Sequence, residues 1–133
     1  MSGALALDLG GTNLRAALVR EDGKILHRLA TSTPLGKDSI TGTMISMRRE
    51  LIAVAEVQQL RVRGIGVSTG GRVNYDDGVV LDSTALLPGW RDVPVRELLH
   101  REFGLPVMVD NDGNSTDRGN TRTSALAACS ILS

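Results

Sequence analysis

The sequence predicts a mixed α/β fold, in which a mixed β-sheet is flanked by helices. Two apolar runs, Leu5 to Leu9 and Leu14 to Val19, flank a short Gly-containing turn, which is typical of a β-hairpin. An apolar stripe at helical spacing follows within residues 38–60. The later apolar runs are short strands that end in polar loops. The predicted order is therefore β-β-β-α-β-α-β, an α/β layer arrangement.

The first three strands are predicted to be antiparallel neighbours. After the hairpin, Gly23 lies in a polar turn where positive φ is expected. Residues 25–31 then alternate loosely and form the third strand, and Pro34 prevents this strand from continuing.

The first helix is predicted to begin at Asp38 or Ser39, either of which can cap it, and to end near Leu60. Eight apolar residues give this helix a buried stripe: Met44, Ile45, Met47, Leu51, Ile52, Val54, Ala55 and Val57.

The second helix is predicted to be capped by Asp92, with Pro94 in its first turn, and to end at Gly104. Its apolar side is formed by Val95, Leu98, Leu99 and Phe103. Short strands are expected over residues 62–67, 79–81 and 105–109.

Composition limits the possible functions. The 15 basic and 15 acidic residues balance, and one Trp, one Tyr and one Phe leave little for base stacking, so no nucleic-acid partner is expected. No apolar run approaches the roughly 20 residues that span a bilayer, so no membrane partner is expected. The single cysteine, Cys129, fits a reducing compartment, and the first strand begins too early for a leader peptide. The expected location is cytoplasmic.

The first polar loop, Gly10-Gly11-Thr12-Asn13, is a candidate phosphate site. Successive backbone N–H groups in such a turn can bind an anion. Asp8, just before the turn, could hold a Mg²⁺ ion together with phosphate oxygens. The alternative is an ordinary Gly-rich hairpin with a solvated aspartate.

Two further polar loops follow predicted strands. Residues 68–73 are Ser-Thr-Gly-Gly-Arg-Val, which taken alone favours a neutral turn with a surface arginine over a binding loop. Asn111 and Asp112 follow a buried strand, where a carboxylate can accept a proton from a hydroxyl and an amide can bind sugar hydroxyls. The alternative here is a polar turn at the strand end.

Taken together, the three loops resemble those of the ROK sugar kinases, within the sugar-kinase/actin/Hsp70 superfamily, and are most similar to the N-acetylmannosamine kinase branch. The resemblance covers residues 4–114 and rests on Leu-Gly-Gly-Thr-Asn-Leu-Arg, Ser-Thr-Gly-Gly-Arg-Val-Asn and Val-Asp-Asn-Asp-Gly-Asn. It implies the N-terminal domain of the actin-like ATPase, ribonuclease H-like fold. It also implies an ATP-dependent kinase that phosphorylates the C6 hydroxyl of a hexose or N-acylhexosamine, with ATP and Mg²⁺ as cofactors.

The resemblance also implies roles for individual residues. Asp112 is similar to the catalytic base, and Asp8 to the residue near the magnesium. The implied sugar-binding residues are Gly71, Arg72, Thr84, Asn111 and Asp112. The implied residues around the ATP phosphates are Gly10, Gly11, Thr12, Asn13 and Arg15.

The sequence departs from the family after Asn114. Residues 115–133 are expected to be a divergent, loosely packed tail from truncation or a frame disruption, so Cys129 is not read as a zinc ligand. ROK kinases have a second domain with the adenosine site and a Cys-rich zinc loop, so structural Zn²⁺ is expected only there. The chain alone is expected to be inactive and its parent a homo-oligomer.

Two alternatives to an N-acetylmannosamine kinase stay open. A glucokinase or fructokinase of the same family binds hydroxyls common to many hexoses. A ROK transcriptional regulator is disfavoured, because residues 1–3 leave no room for a DNA-binding helix-turn-helix before the first strand.

Overall fold

The computed structural model describes residues 1–83, 87–111 and 129. In these residues the chain forms a five-stranded sheet, a three-stranded sheet and two helices. The elements in chain order are β1 (Ser2–Leu9), β2 (Asn13–Arg20), β3 (Ile25–Ser32), α1 (Lys37–Val57), β4 (Arg61–Thr69), β5 (Arg72–Asn74), β6 (Val79–Asp82), β7 (Val93–Pro94), α2 (Val95–Phe103) and β8 (Val107–Asn111).

The large sheet has the strand order β3-β2-β1-β4-β8. The first three strands pair antiparallel, whereas β4 runs parallel to both β1 and β8. This is the predicted mixed sheet. The predicted positive φ of Gly23, in the turn between β2 and β3, is also confirmed, with a value of 93°.

The main core lies between the large sheet and the two helices. Leu5, Leu7 and Leu9 alternate along β1 and pack in the same buried cluster as Met44 and Leu51 of α1. Alternate residues of a strand point to opposite faces, so Ala4 and Ala6 line the other face of β1. Neither helix in the described part of the chain is long and apolar enough to cross a membrane.

The first helix begins before its predicted caps. Its N-cap is Gly36, with φ of 90° and no capping side-chain hydrogen bond, so the prediction of Asp38 or Ser39 was wrong. Asp38 lies in the first turn instead, where a carboxylate still interacts favourably with the helix dipole. The helix ends at Val57, and that side chain is 84% exposed rather than part of the buried stripe.

The second helix also begins elsewhere than predicted. Pro94 is its N-cap, and Asp92, with φ of 54°, makes no cap. The predicted C-terminus is confirmed, because Gly104 has a left-handed φ of 68° and donates its N–H to the His100 carbonyl. Glycine adopts this conformation without the steric cost that a Cβ brings.

The small sheet was only partly predicted. Strand β6 corresponds to the run expected at 79–81, but its partner β5 lies within the segment predicted as a polar loop. Strand β5 contains Arg72 and Asn74, both exposed. Because of this polar composition, no strand was predicted there from the sequence. Strand β4 likewise continues through Ser68 and Thr69, which were assigned to that loop.

Of the predicted divergent tail, the structure describes only Cys129. Its side chain is buried against Ala6, Ala17 and Val19 on the alanine-lined face of the sheet, with Sγ 3.6 Å from the Leu7 carbonyl oxygen. For this residue the expectation of a loosely packed tail is wrong. The other residues of the tail, at 115–128 and 130–133, lie outside the described residues.

Candidate functional site

The ends of three neighbouring strands bring the predicted loops together. Leu9, the last residue of β1, pairs with Thr69 at the end of β4, and Thr69 pairs with Asn111 at the end of β8. The Gly70 N–H also donates to the Leu9 carbonyl at 3.3 Å. Adjacent strands lie about 4.8 Å apart, so the three strand ends fall within about 10 Å of one another. The candidate site is this edge of the sheet.

The predicted phosphate turn connects β1 to β2 and is open to solvent at Gly11, Thr12 and Asn13. It closes on itself through a 2.9 Å hydrogen bond from the Gly10 N–H to the Asn13 carbonyl. Thr33 fixes it from outside: its hydroxyl donates to the Gly10 carbonyl at 2.7 Å, and its N–H to the Thr12 carbonyl at 2.9 Å. The sequence interpretation treated Thr33 as part of an ordinary loop and missed this role.

Asp8 is half-buried on β1, separated from the turn by Leu9 alone. It pairs with Arg15 on β2 and with Ser68 on β4, and Ser68 pairs in turn with Asp110 on β8. Directly paired residues share a face of the sheet, so one row carries two carboxylates and a guanidinium. A Mg²⁺ ion in proteins is commonly held by one or two carboxylates and phosphate oxygens. Asp8, beside the exposed turn, fits that ligand set.

The predicted sugar residues Gly71 and Arg72 lie at the start of β5, beside the end of β6. Gly71 has φ of 98°, and a Cβ there would be 2.2 Å from the Asp82 carbonyl oxygen. Glycine is therefore required by the close approach of two backbones. This gives Gly71 a structural reason independent of any ligand.

The Arg72 guanidinium is paired with the Asp82 carboxylate. Nε donates to Oδ1 at 3.0 Å and Nη2 to Oδ2 at 2.5 Å, while the Arg72 side chain is 73% exposed. These hydrogen bonds, aided by the charge of Arg91, hold the pKa of Asp82 below its ordinary value. The pair ties β5 to β6 and leaves the other face of the guanidinium open to solvent.

Replacing Arg72 by Gln is expected to raise the pKa of Asp82 towards its ordinary value, although Arg91 still lowers it. Because the pKa of Asp82 is lower in the folded state than in the unfolded state, the ion pair stabilises the fold at pH values above the unfolded-state pKa. This stabilisation is lost as the pH falls through the folded-state pKa. The Arg72 side chain is 73% exposed and that of Asp82 is 36% exposed, so solvent screening keeps the gain in stability small. Titration of the side-chain carboxyl carbons by NMR measures the pKa directly.

Asp22 is the internal control for that titration. Its pKa of about 2 arises mainly from the Arg20 guanidinium in a separate turn, so it is expected not to change in Arg72→Gln. An Asp82 titration that is the same in both proteins contradicts the pairing.

Trp90 is a residue at this edge that the sequence interpretation placed only in a bend. Its indole is fully buried, and Nε1 donates to Thr69 Oγ1 at 3.0 Å. It lies at the base of an open cleft of about 350 Å³ lined by Asp82, Ser83, Leu87, Pro88, Gly89, Trp90 and Arg91. A lone tryptophan in a Pro-Gly-Trp bend was the only available signal, because its partner is 21 residues away.

Two predicted site residues lie outside the described residues: Thr84, in the loop after β6, and Asp112, which follows Asn111 in the chain. Asn111 itself is half-buried at the end of β8, and its N–H donates to Asp110 Oδ1 at 2.8 Å. The described part of the candidate site therefore comprises the phosphate turn, Asp8, the Gly71–Arg72 segment and Asn111.

Comparisons with known proteins identify the family to which the chain is similar. The model of the ROK family matches residues 4–130. An N-acetylmannosamine kinase from Yersinia pseudotuberculosis is 32% identical over 121 residues, which cover 86% of this chain and 37% of that protein. The chain spans about a third of the length of the curated relatives it matches.

Solved structures of ROK proteins have a similar fold. A ROK family glucokinase from Streptomyces griseus, in complex with glucose and AMPPNP, superposes with a TM-score of 0.72 at 27% identity, over 86% of this chain and 35% of that one. A ROK family transcriptional regulator shares the fold, with a TM-score of 0.73 at 24% identity, over 86% and 28% of the two chains. The predicted actin-like ATPase fold is thereby confirmed. Since the family model matches nearly the whole chain, the chain belongs to the ROK family.

Proposed function

We propose that this chain is part of an ATP-dependent sugar kinase that phosphorylates the C6 hydroxyl of a hexose or N-acylhexosamine. One observation carries the proposal: the exposed turn after β1 and the end of β8, with Asn111, lie at one edge of the sheet with β4 between them. A kinase must hold a phosphate donor and a hydroxyl acceptor side by side. This edge supplies backbone N–H donors in the turn after β1, and at the end of β8 the side-chain amide of Asn111, a group that can hydrogen-bond sugar hydroxyls.

The proposed roles follow the resemblance. Gly10, Gly11, Thr12 and Asn13 hold ATP phosphates, with Arg15 as the charged partner of the turn. Asp8 holds Mg²⁺, which would neutralise phosphate charge. The sugar is bound by Gly71, Arg72, Thr84 and Asn111, and Asp112 takes the proton from the C6 hydroxyl.

Phosphoryl transfer fits such a site because it depends on positioning and charge stabilisation more than on covalent chemistry. The hydrogen bonds of Thr33 to both sides of the turn support a rigid phosphate cradle. Asn111 is held at the end of β8, a largely buried strand that pairs in parallel with β4. Rigid groups of this kind need no reorganisation when the substrate reacts.

The proposed substrate is N-acetylmannosamine, with glucose or fructose as the alternative. Support for N-acetylmannosamine comes from the similarity to an N-acetylmannosamine kinase, and support for glucose from the similarity to a ROK glucokinase. The partners are these small molecules alone, in a cytoplasmic protein whose full-length form is a homo-oligomer.

The test is a transfer assay with the full-length protein and Mg-ATP, offering N-acetylmannosamine, glucose and fructose separately. The expected product is a 6-phosphomonoester, identified by ³¹P NMR, and the preferred sugar is the one with the highest kcat/KM. Omission of Mg²⁺ is expected to stop the transfer. Absence of a phosphorylated product from all three sugars contradicts the proposed function.

A further inference from the structure

The indole of Trp90 connects the loop after β6 to the end of the central strand β4. Trp90 and Thr69 are both fully buried, so their 3.0 Å hydrogen bond is shielded from water. The Thr69 hydroxyl in turn donates to the Gly70 carbonyl at 3.1 Å. A buried polar group that loses its partner pays a desolvation penalty, which makes this link costly to break.

Thr69 occupies a central place in the candidate site. It is the register partner of both Leu9, which precedes the phosphate turn, and Asn111, at the end of β8. Any group bonded to its hydroxyl is thereby fixed relative to both the donor side and the acceptor side of the site.

The loop that Trp90 supports lines a cleft beside these strand ends through its described residues, 82–83 and 87–91. Asp82, at its start, is paired with Arg72, and the Ser83 hydroxyl donates to the Leu87 carbonyl at 2.6 Å. The far end is closed by a 3.3 Å hydrogen bond from the Asp92 N–H to the Leu81 carbonyl. The described residues of the loop line the open cleft of about 350 Å³, and the hydrogen bond from Trp90 to Thr69 connects this lining to β4.

We infer that Trp90 is a positioning residue for sugar binding: through Thr69 it holds residues 87–91 against the strand ends that carry the site. This inference rests on the proposed function. The indole is fully buried and bonded to protein, so it acts through the loop and not by contact with substrate. It therefore affects the sugar side of the site and leaves the phosphate turn, which Thr33 fixes separately, unchanged.

The test uses the full-length protein and two variants that each remove the hydrogen bond. Thr69→Val does so with little change in volume, whereas Trp90→Phe also removes part of the buried ring system. Loss of one buried hydrogen bond is expected to raise the Kd for the preferred sugar about three- to tenfold in each variant. The double variant is expected to bind no more weakly than the weaker single variant, because both changes remove the same link. The KM for ATP is expected to stay within about twofold. Thr69→Ser, which keeps the hydroxyl, is the matched control and is expected to bind sugar as the wild type does.

Calorimetry of sugar binding without ATP, together with the Tm of each variant, separates the outcomes. A lowered Tm with an unchanged sugar Kd overturns the inference, because it reduces Trp90 to a purely structural role while the proposed function stands. An equal loss of affinity for sugar and for ATP also overturns the inference. If Trp90→Phe does not fold, the sugar Kd of Thr69→Val alone decides whether the inference holds. A wild-type protein that binds none of the three sugars overturns the proposed function, and the inference with it.

Discussion

Replacing Asp112 by Asn is expected to lower the kcat of the full-length kinase by about 10²–10⁴-fold, the usual effect of losing a general base. The amide has nearly the same shape and can still hydrogen-bond the C6 hydroxyl, but it cannot take its proton. Sugar binding is therefore expected to be largely retained. Steady-state kinetics give the change in kcat, and calorimetry gives the sugar Kd.

Asp76→Asn is the matched control, because Asp76 is an exposed aspartate in the turn between β5 and β6. Its carbonyl accepts from Arg96, whose Nε donates to the Val107 carbonyl at the start of β8, the opposite end of that strand from Asn111. The same chemical change there is expected to leave kcat unaltered. Near-normal turnover in Asp112→Asn would remove Asp112 from the catalytic role. A loss of sugar binding equal to the loss of kcat would make it a binding residue instead.

Replacing Gly71 by Ala is expected to destabilise the fold by about 2–4 kcal/mol. The backbone has φ of 98°, which a residue with a Cβ rarely adopts, and the new methyl group would lie 2.2 Å from the Asp82 carbonyl oxygen and 2.9 Å from Ser83 Cα. Both neighbours are backbone atoms that cannot rotate away. Either β5 or the loop after β6 must move, so sugar affinity is expected to fall as well.

Gly23→Ala separates the two causes. Gly23 has φ of 93°, close to that of Gly71, but no atom lies within 4 Å of where its Cβ would be. Its cost is the backbone strain alone, about 1–2 kcal/mol. Denaturant unfolding of both variants measures the difference, which is the cost of the clash. Equal destabilisation at the two positions would contradict the close approach at Gly71.

Sequence patterns were sufficient for the elements whose signals are local. The hairpin around Gly10 is marked by two apolar runs, and the C-terminus of α2 by Gly104. The clustering of the polar loops also followed from the sequence, since loops after parallel strands meet at one edge of a sheet. These features place Asp8 and Asn111 at the same edge as the phosphate turn.

Features that depend on tertiary packing were not predictable in this way. The polar residues of β5 form a strand because β6 lies beside them. Helix α1 begins at Lys37, directly after its N-cap Gly36, where the chain enters the helix with positive φ. Thr33 reaches the phosphate turn from 23 residues away in the chain. Such contacts leave no periodic trace in the sequence, so pattern analysis assigned these residues to ordinary loops and caps.

The buried position of Trp90 also has an optical consequence. It is the single tryptophan of the 133 residues, so all tryptophan emission of the chain comes from one indole at the base of the cleft. Enclosed away from water, this indole is expected to emit at short wavelength, and a red shift then reports that residues 87–91 have left β4. The chain thus carries an intrinsic reporter of the contact between its central strand and the loop that lines this cleft.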